Sequence, residues 1–198
     1  MQKSVITVNN YTIQTYMVNT VVVGSGAASF NAANRLHQLG QKDVVMVTEG
    51  INKGTSRNTG SDKQTYYKLS LSGNEPDSVR EMCETLFSGK CVVGDIALCE
   101  GALSNQCFLN LADLGIPFPR NRYGEYIGYK TDYDPRRRAA SAGPYTSKYM
   151  TQCLEKSVVE KGIEMEVCGI SLQEYCIYHR RSGRNLCGQC ISRSSIWV

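Results

Sequence analysis

Gly24 and Gly26 stand one residue apart, directly after a β-branched run at residues 20–23 and directly before a stretch patterned as a helix. Those types at that spacing can hold a diphosphate. The first glycine lets the chain turn sharply out of a strand, and the second has no side chain to keep a phosphate from the backbone. The helix that follows aims free N–H groups and the positive end of its dipole at the anion. The next position of such a fingerprint packs helix against strand and is usually Gly or Ala; here it is Ser29, a departure small enough to be tolerated. Glu49 lies 20 residues further on, where a carboxylate would accept hydrogen bonds from an adenosine ribose.

The elements needed to position these residues are legible in the pattern. Residues 20–23 read as a strand buried on both faces. Residues 27–39 read as a helix, with Ala28, Ala32, Leu36 and Leu39 at turn-like spacing and Gly40 as its C-terminal cap. Residues 43–48 form a second strand, and strand, helix, strand in about 30 residues implies a parallel crossover. Residues 51–71 have no clear period and read as a long polar loop. Further helices are expected at 76–87, at 95–114 with Leu103, Cys107, Leu111 and Leu114 on one stripe, and at 146–161. A strand is expected at 163–167 and a small antiparallel piece between Phe118 and Arg138. The fold class is α/β, a parallel sheet with flanking helices.

The fingerprint alone leaves the nucleotide open, because NAD and FAD share it. The segment after Glu49, "NKGTSRNTGSDKQTYYKL", is dense in hydrogen-bond donors and carries glycines that allow close approach. It suits an extended flavin dinucleotide, and it also reads as a solvated surface loop. An NAD(P)-binding dehydrogenase domain, or a nucleotide-binding module without turnover, stays open beside the flavin reading.

Three stretches, "VVVGSGAASFNAANRL" with Glu49, "GTSRNTGSD", and "DLGIPFPRNRYGEYIGYKTDYDPRRRAASAGPYTSKYMTQCLEK", carry a resemblance. Together they resemble the flavoproteins of the fumarate reductase, succinate dehydrogenase and L-aspartate oxidase group, over residues 19–163. The resemblance implies a Rossmann-like FAD-binding domain and hydride transfer between the flavin and a small, dicarboxylate-like anionic substrate. Carried over, Gly24, Gly26, Ala27 and Ala28 would meet the pyrophosphate and Glu49 the ribose. Ser56, Asn58, Thr59, Gly60 and Ser61 would line the path to the flavin ring, and Arg138 would stand nearest the substrate side. Several relatives attach flavin through a histidine; none occurs between Gly40 and Lys161, so noncovalent FAD is expected. Relatives are considerably longer, and their substrate-binding and proton-donating residues come largely from later parts, so no catalytic residue is assigned.

The remaining features bound the reading. The net charge of +4 over 198 residues is poor evidence for nucleic-acid binding, and no apolar run approaches the ~18 residues of a membrane span. The polar N-terminal stretch lacks a signal-peptide core, which leads to a cytoplasmic reading. Of nine cysteines, Cys83, Cys91, Cys99, Cys107 and Cys153 sit mostly in apolar helical contexts and read as buried free thiols. Cys187 and Cys190 have the spacing of half a zinc site but lack a matching second pair, so no metal is expected. Arg136 to Arg138 read equally as an anion site or a solvated basic turn, Tyr66 and Tyr67 as neighbours of the flavin loop or as core, and His37 is expected near the surface. Residues 1–167 are expected to form one partial FAD-binding domain. Residues 168–198 form a Cys- and Arg-rich tail with no sustained period. The string "GRNLCGQCISRSS" back-translates so that its second frame gives "GICADSVYP" over most of its length, so the chain is expected to leave its frame between residues 165 and 174.

Overall fold

The computed structural model describes residues 2–8, 11–61, 64–71, 76–167, 176–178 and 188–190. The chain divides into two compact units, Met1–Thr55 with Val158–Val198, and Ser56–Ser157. The tail expectation for 168–198 falls outside the described residues, apart from the two short segments named below.

The first unit begins with an antiparallel hairpin of β1 (Gln2–Val8) and β2 (Tyr11–Met17), in register from Gln2 opposite Met17 to Val8 opposite Tyr11. The Ser4 and Thr15 hydroxyls hydrogen-bond across it at 2.7 Å, and Lys3 pairs with Glu164. There follow β3 (Thr20–Val23), α1 (Ala27–Gln38) and β4 (Val44–Thr48). The two strands are parallel and in register from Thr20 opposite Val44 to Val23 opposite Val47.

A later strand, β7 (Glu164–Val167), pairs parallel with the other side of β4, so the order is β3–β4–β7. Being central, β4 is buried at all five positions, as a continuous apolar run requires. The expectation that residues 20–23 are buried on both faces is corrected: β3 lies at the end of this three-strand order, and Val23 is 46% exposed.

The inward stripe of α1 also differs from expectation. It is Phe30, Ala33 and Asn34, whereas Ala28, Ala32 and Leu39 face solvent. The Phe30 ring takes the fully buried position, and Asn34 is tolerated there because its Oδ1 accepts from Lys161 Nζ at 2.8 Å. Gly40, at φ +95°, closes the helix, with the Gln41 amide donating back to the Leu36 carbonyl at 3.0 Å.

The second unit holds a four-residue helical turn, α2 (Thr55–Asn58), whose first residue belongs to the first unit. It then has the short strands β5 (Tyr66–Tyr67) and β6 (Ala139–Ala140), paired antiparallel, with helices α3 (Val79–Ser88) and α4 (Gly94–Asp113) between them. The Ser78 hydroxyl caps α3 by accepting from the Glu81 amide at 3.1 Å. A last helix, α5 (Thr146–Glu160), ends in the first unit and precedes β7 in the sequence. The antiparallel piece expected between Phe118 and Arg138 is reduced to two isolated bridges, Arg120 with Tyr126 and Tyr129 with Ala139. In the tail, β8 (Cys176–Tyr178) and β9 (Gly188–Cys190) pair antiparallel.

The stripe expected on α4 is corrected as well. The buried positions are Ala97, Gly101, Ser104, Phe108 and Leu111, and Leu103 is 52% exposed. Shape decides this phase. A Cβ added at Gly101 would already stand 3.4 Å from Cys83 Sγ and Val79 Cγ1 of α3, so a residue without a side chain stands at the close helix contact. Phe108 then stacks with Phe118 (4.4 Å between ring centroids), Tyr126 (4.9 Å) and Tyr66 (5.6 Å). Tyr66 is thus core. Cys83 is buried, Cys107 and Cys153 are half-buried, and Cys91 and Cys99 are exposed, contrary to the buried-thiol expectation; all five are free thiols.

Candidate dinucleotide site

The turn out of β3 has the geometry its residue types require. Gly24 adopts φ +110°, which a side chain would strain, and its amide donates to the Val47 carbonyl of β4 at 2.8 Å. A Cβ on Gly24 would come within 2.8 Å of Ser29 Oγ. The Ser29 hydroxyl donates to the Val23 carbonyl at 3.0 Å, so the departure from Gly or Ala at this position is used as a tie between helix and strand. Gly26 precedes α1 without any side-chain cap, and no acidic residue occupies the first turn. The positive end of α1 therefore has no counter-charge in that turn, and Ala27 and Ala28 open it.

A second loop folds onto this turn. Gly54 lies so close that an added Cβ would meet the Ser25 carbonyl oxygen at 2.6 Å and the Gly26 nitrogen at 2.9 Å, both backbone. Ser25, between the paired glycines, is buried; its hydroxyl donates to the Gly50 carbonyl at 2.9 Å and accepts from Thr48 Oγ1 at 3.0 Å. Glu49 follows Thr48 at the end of β4. Its side chain is 51% exposed and faces Lys53 Nζ at 3.8 Å, so the carboxylate is presented to solvent beside the turn's supports. Sequence reasoning missed Ser25, Thr48 and Gly50, whereas Gly54 is one of the glycines expected to allow close approach. The only signal was the pair of glycines, Gly50 and Gly54, flanking a short polar stretch just after Glu49.

Of the expected site residues, the structure brings Gly24, Gly26, Ala27, Ala28 and Glu49 into the first unit, and Ser56, Asn58, Thr59, Gly60 and Ser61 into the second. Within the second unit the latter group packs against the turn that opens α5. The Ser61 amide donates to the Pro144 carbonyl at 3.0 Å, and Gly60 lies against Pro144 and the Tyr145 ring. Gln64 bridges Thr59 Oγ1 (3.3 Å) and the Ser147 amide (3.1 Å). Two of the stretches that carry the resemblance, 54–62 and 113–156, thus meet here. Beside them Arg57 pairs with Glu155, with both side chains largely withdrawn from water.

The expectation for the arginine run is corrected. Arg138 is fully buried, and its guanidinium forks onto Asp77 (2.7 and 3.0 Å). Its Nη1 donates to Thr85 Oγ1 (2.9 Å), Tyr67 Oη (3.3 Å) and Asp134 Oδ1 (3.3 Å). Burial works against both charges. Hydrogen bonds donated to Asp77 by Arg138 and by the Ser70 and Ser78 amides nevertheless hold its carboxyl below the ordinary range, and Asp77 and Tyr67 raise Arg138. This arginine anchors the interior of its unit and has no face to offer an anionic substrate. Arg136 forks onto Glu81 at 2.8 and 3.2 Å. Tyr67 belongs to the same network, and burial pushes its phenol up to about 12. Next to it Lys68 is buried, its ammonium 4.7 Å from the Phe108 ring centroid and donating to the Leu69 carbonyl at 3.2 Å. His37 is half-buried on α1, its Nδ1 3.0 Å from Lys42 Nζ.

Among the described residues there is no group of three or more His, Cys, Asp or Glu that could hold a metal, and no helix long and apolar enough to cross a membrane. No family model and no curated protein matches the sequence. Solved structures do. The chain superposes on the E. coli quinol fumarate reductase FrdA over 76% of its length at a TM-score of 0.65 and 14% identity. It superposes on a succinate dehydrogenase of Mycobacterium smegmatis over 77% at 0.67 and 17% identity. A 3-ketosteroid dehydrogenase of Rhodococcus jostii matches over 77% at 0.58 and 16% identity. The chain spans 26%, 27% and 38% of the lengths of these three. Over about three quarters of its length the chain therefore has the fold of part of the fumarate reductase and succinate dehydrogenase flavoproteins.

Proposed function

We propose that the chain is the FAD-binding portion of a flavin-dependent oxidoreductase, which moves a hydride between the flavin and a small dicarboxylate-like substrate. The observation that carries this reading is the glycine turn at the end of β3, with a solvent-presented carboxylate at the end of the neighbouring parallel strand in the same unit. The uncapped first turn of α1, which carries no acidic residue, fits a negatively charged group such as a diphosphate. The fold shared with a fumarate reductase and a succinate dehydrogenase supports the flavin over other dinucleotides, and the dicarboxylate follows from the resemblance of the sequence.

In this reading the backbone around Gly24, Gly26, Ala27 and Ala28 holds the pyrophosphate, and Glu49 accepts from the ribose hydroxyls. Ser56, Asn58, Thr59, Gly60 and Ser61 line the way to the flavin ring. The flavin, when bound, supplies the hydride chemistry; the chain's own residues bind and orient it, without a covalent bond. Turnover belongs to a protein several times the length of this chain.

An absorption spectrum of the purified protein, with released cofactor identified by mass, tests the reading. A yellow protein releasing FAD is expected, with retention lost in Glu49→Arg. A colourless protein that takes up NAD(P) but not FAD overturns it.

A further inference from the structure

Ser25 and Thr48 have no part in the fingerprint, yet their hydroxyls close a circuit. The Gly50 amide donates to Thr48 Oγ1 (3.3 Å), Thr48 Oγ1 donates to Ser25 Oγ (3.0 Å), and Ser25 Oγ donates to the Gly50 carbonyl (2.9 Å). Thr48 Oγ1 also lies 3.3 Å from the Gly50 carbonyl, but its shorter contact is to Ser25, and with that bond made each hydroxyl gives one proton and receives one. Both residues are buried, so water does not compete for these bonds, and a closed chain of hydroxyls polarises in one sense. Ser25 sits between the two glycines of the turn. Thr48 is the last residue of β4, adjoining Glu49, and Gly50 is Glu49's other neighbour. The circuit therefore grips the peptides on both sides of Gly50, the first of which is shared with Glu49, and ties them and the Thr48 side chain to the middle of the phosphate turn.

From this geometry we propose that Ser25 and Thr48 are positioning residues of the dinucleotide site, setting the distance between the phosphate turn and the ribose carboxylate without touching the ligand. The proposal rests on the dinucleotide reading above. A ligand carrying both a diphosphate and a ribose spans the two anchors, so its affinity depends on their separation. With the circuit cut, each anchor still exists, but the two no longer fit one ligand together.

The test is a double-mutant cycle read by titration calorimetry with ADP as the probe, on the full chain in reducing buffer. Ser25→Ala is expected to weaken ADP by about tenfold, on the scale of one lost buried hydrogen bond in a cooperative set. Glu49→Gln is expected to weaken it by about the same. The double variant should fall short of the product of the two, at about twentyfold, because a ribose carboxylate out of register has little left to lose.

A double variant weakened by the full product, or Ser25→Ala binding ADP as tightly as the parent, overturns the proposal. Should Ser25→Ala fail to fold, Thr48→Val and Thr48→Ser decide. The serine keeps a hydroxyl in the circuit and should bind ADP within about twofold of the parent, whereas the valine should lose about tenfold; equal binding by the two refutes the circuit. A parent chain that binds neither ADP nor FAD removes the dinucleotide reading, and this proposal falls with it. A parent that binds with no Ser25 or Thr48 effect removes the circuit alone.

Discussion

Replacing Lys68 by methionine should stabilise the protein at neutral pH and remove a pH dependence. Lys68 is 1% exposed, and its ammonium has one carbonyl and one ring face for company. The nearest carboxylate, Asp77, is already forked onto Arg138. Burial pulls the lysine from 10.5 down to about 8, with Asp77 opposing the shift only in part. In the unfolded chain it titrates at its ordinary value. Below about pH 8 both states carry the proton, and the folded state bears the whole cost of a buried charge. Between about 8 and 10.5 the unfolded state binds more protons than the folded one, so stability rises with pH across that window. At about 1.4 kcal/mol per pH unit the interval amounts to roughly 3 kcal/mol.

Methionine keeps the unbranched stem against Phe108 and forfeits the bond to Leu69, worth about 1 kcal/mol. A net gain of about 1–2 kcal/mol at pH 7 follows. Urea unfolding of both proteins followed by circular dichroism, at pH 7 to 10 with reductant present, measures it. The advantage of the variant should shrink steadily above pH 8 and reverse sign near pH 9. Tyr67, at about 12, titrates above this window. Parallel pH profiles, or a variant less stable than the parent at pH 7, would refute the reasoning.

Gly54→Ala should lower the thermal midpoint, costing about 1–3 kcal/mol, because the new methyl meets backbone at 2.6 Å and the loop must retreat; differential scanning calorimetry reads the loss, and an unchanged midpoint contradicts the close approach. Arg138→Met should cost about 3–5 kcal/mol in chemical denaturation by leaving Asp77 and Asp134 buried without their partner, whereas Arg137→Ala, at an exposed position, should stay within about 0.5 kcal/mol. Tyr133 holds φ +67° in the Thr131–Asp134 turn with its side chain wholly exposed. Tyr133→Gly should therefore raise stability by about 1 kcal/mol, relieving the left-handed strain and giving up no packing; a fall in the urea midpoint would show that the ring has a partner.

The run β3, α1, β4 was legible because its signals are local: four β-branched residues, two glycines, a helical stretch, and an apolar strand ending at Thr48. Long helices were legible for the same reason, with ends displaced by at most three residues. Their phase was not. On α4 the most apolar stripe, through Leu103 and Cys107, differs from the buried face, where Gly101 allows close approach to α3. The β1–β2 hairpin escaped notice although two β-branched runs flank Asn9 and Asn10, a turn-forming pair. In the candidate site, Gly24, Gly26 and Glu49 announce themselves by type and spacing. Ser25 and Thr48 do not, because their bond joins residues 23 apart and no periodicity marks it. Arg138 misled for the opposite reason: three arginines in a row suggest an anion site, and only the fold reveals carboxylates at Asp77 and Asp134 waiting inside.

The sheet of the first unit is completed by a strand that comes very late. As the nascent polypeptide leaves the ribosome, β3 and β4 emerge together, but β7 follows only after the whole of Ser56–Ser157 has been made. At ordinary elongation rates that delay is roughly 5–20 s. Throughout it, one long side of a strand that is buried at every position in the folded protein is without its hydrogen-bonding neighbour, which exposes β4 to chaperone capture or to mispairing with another newborn chain.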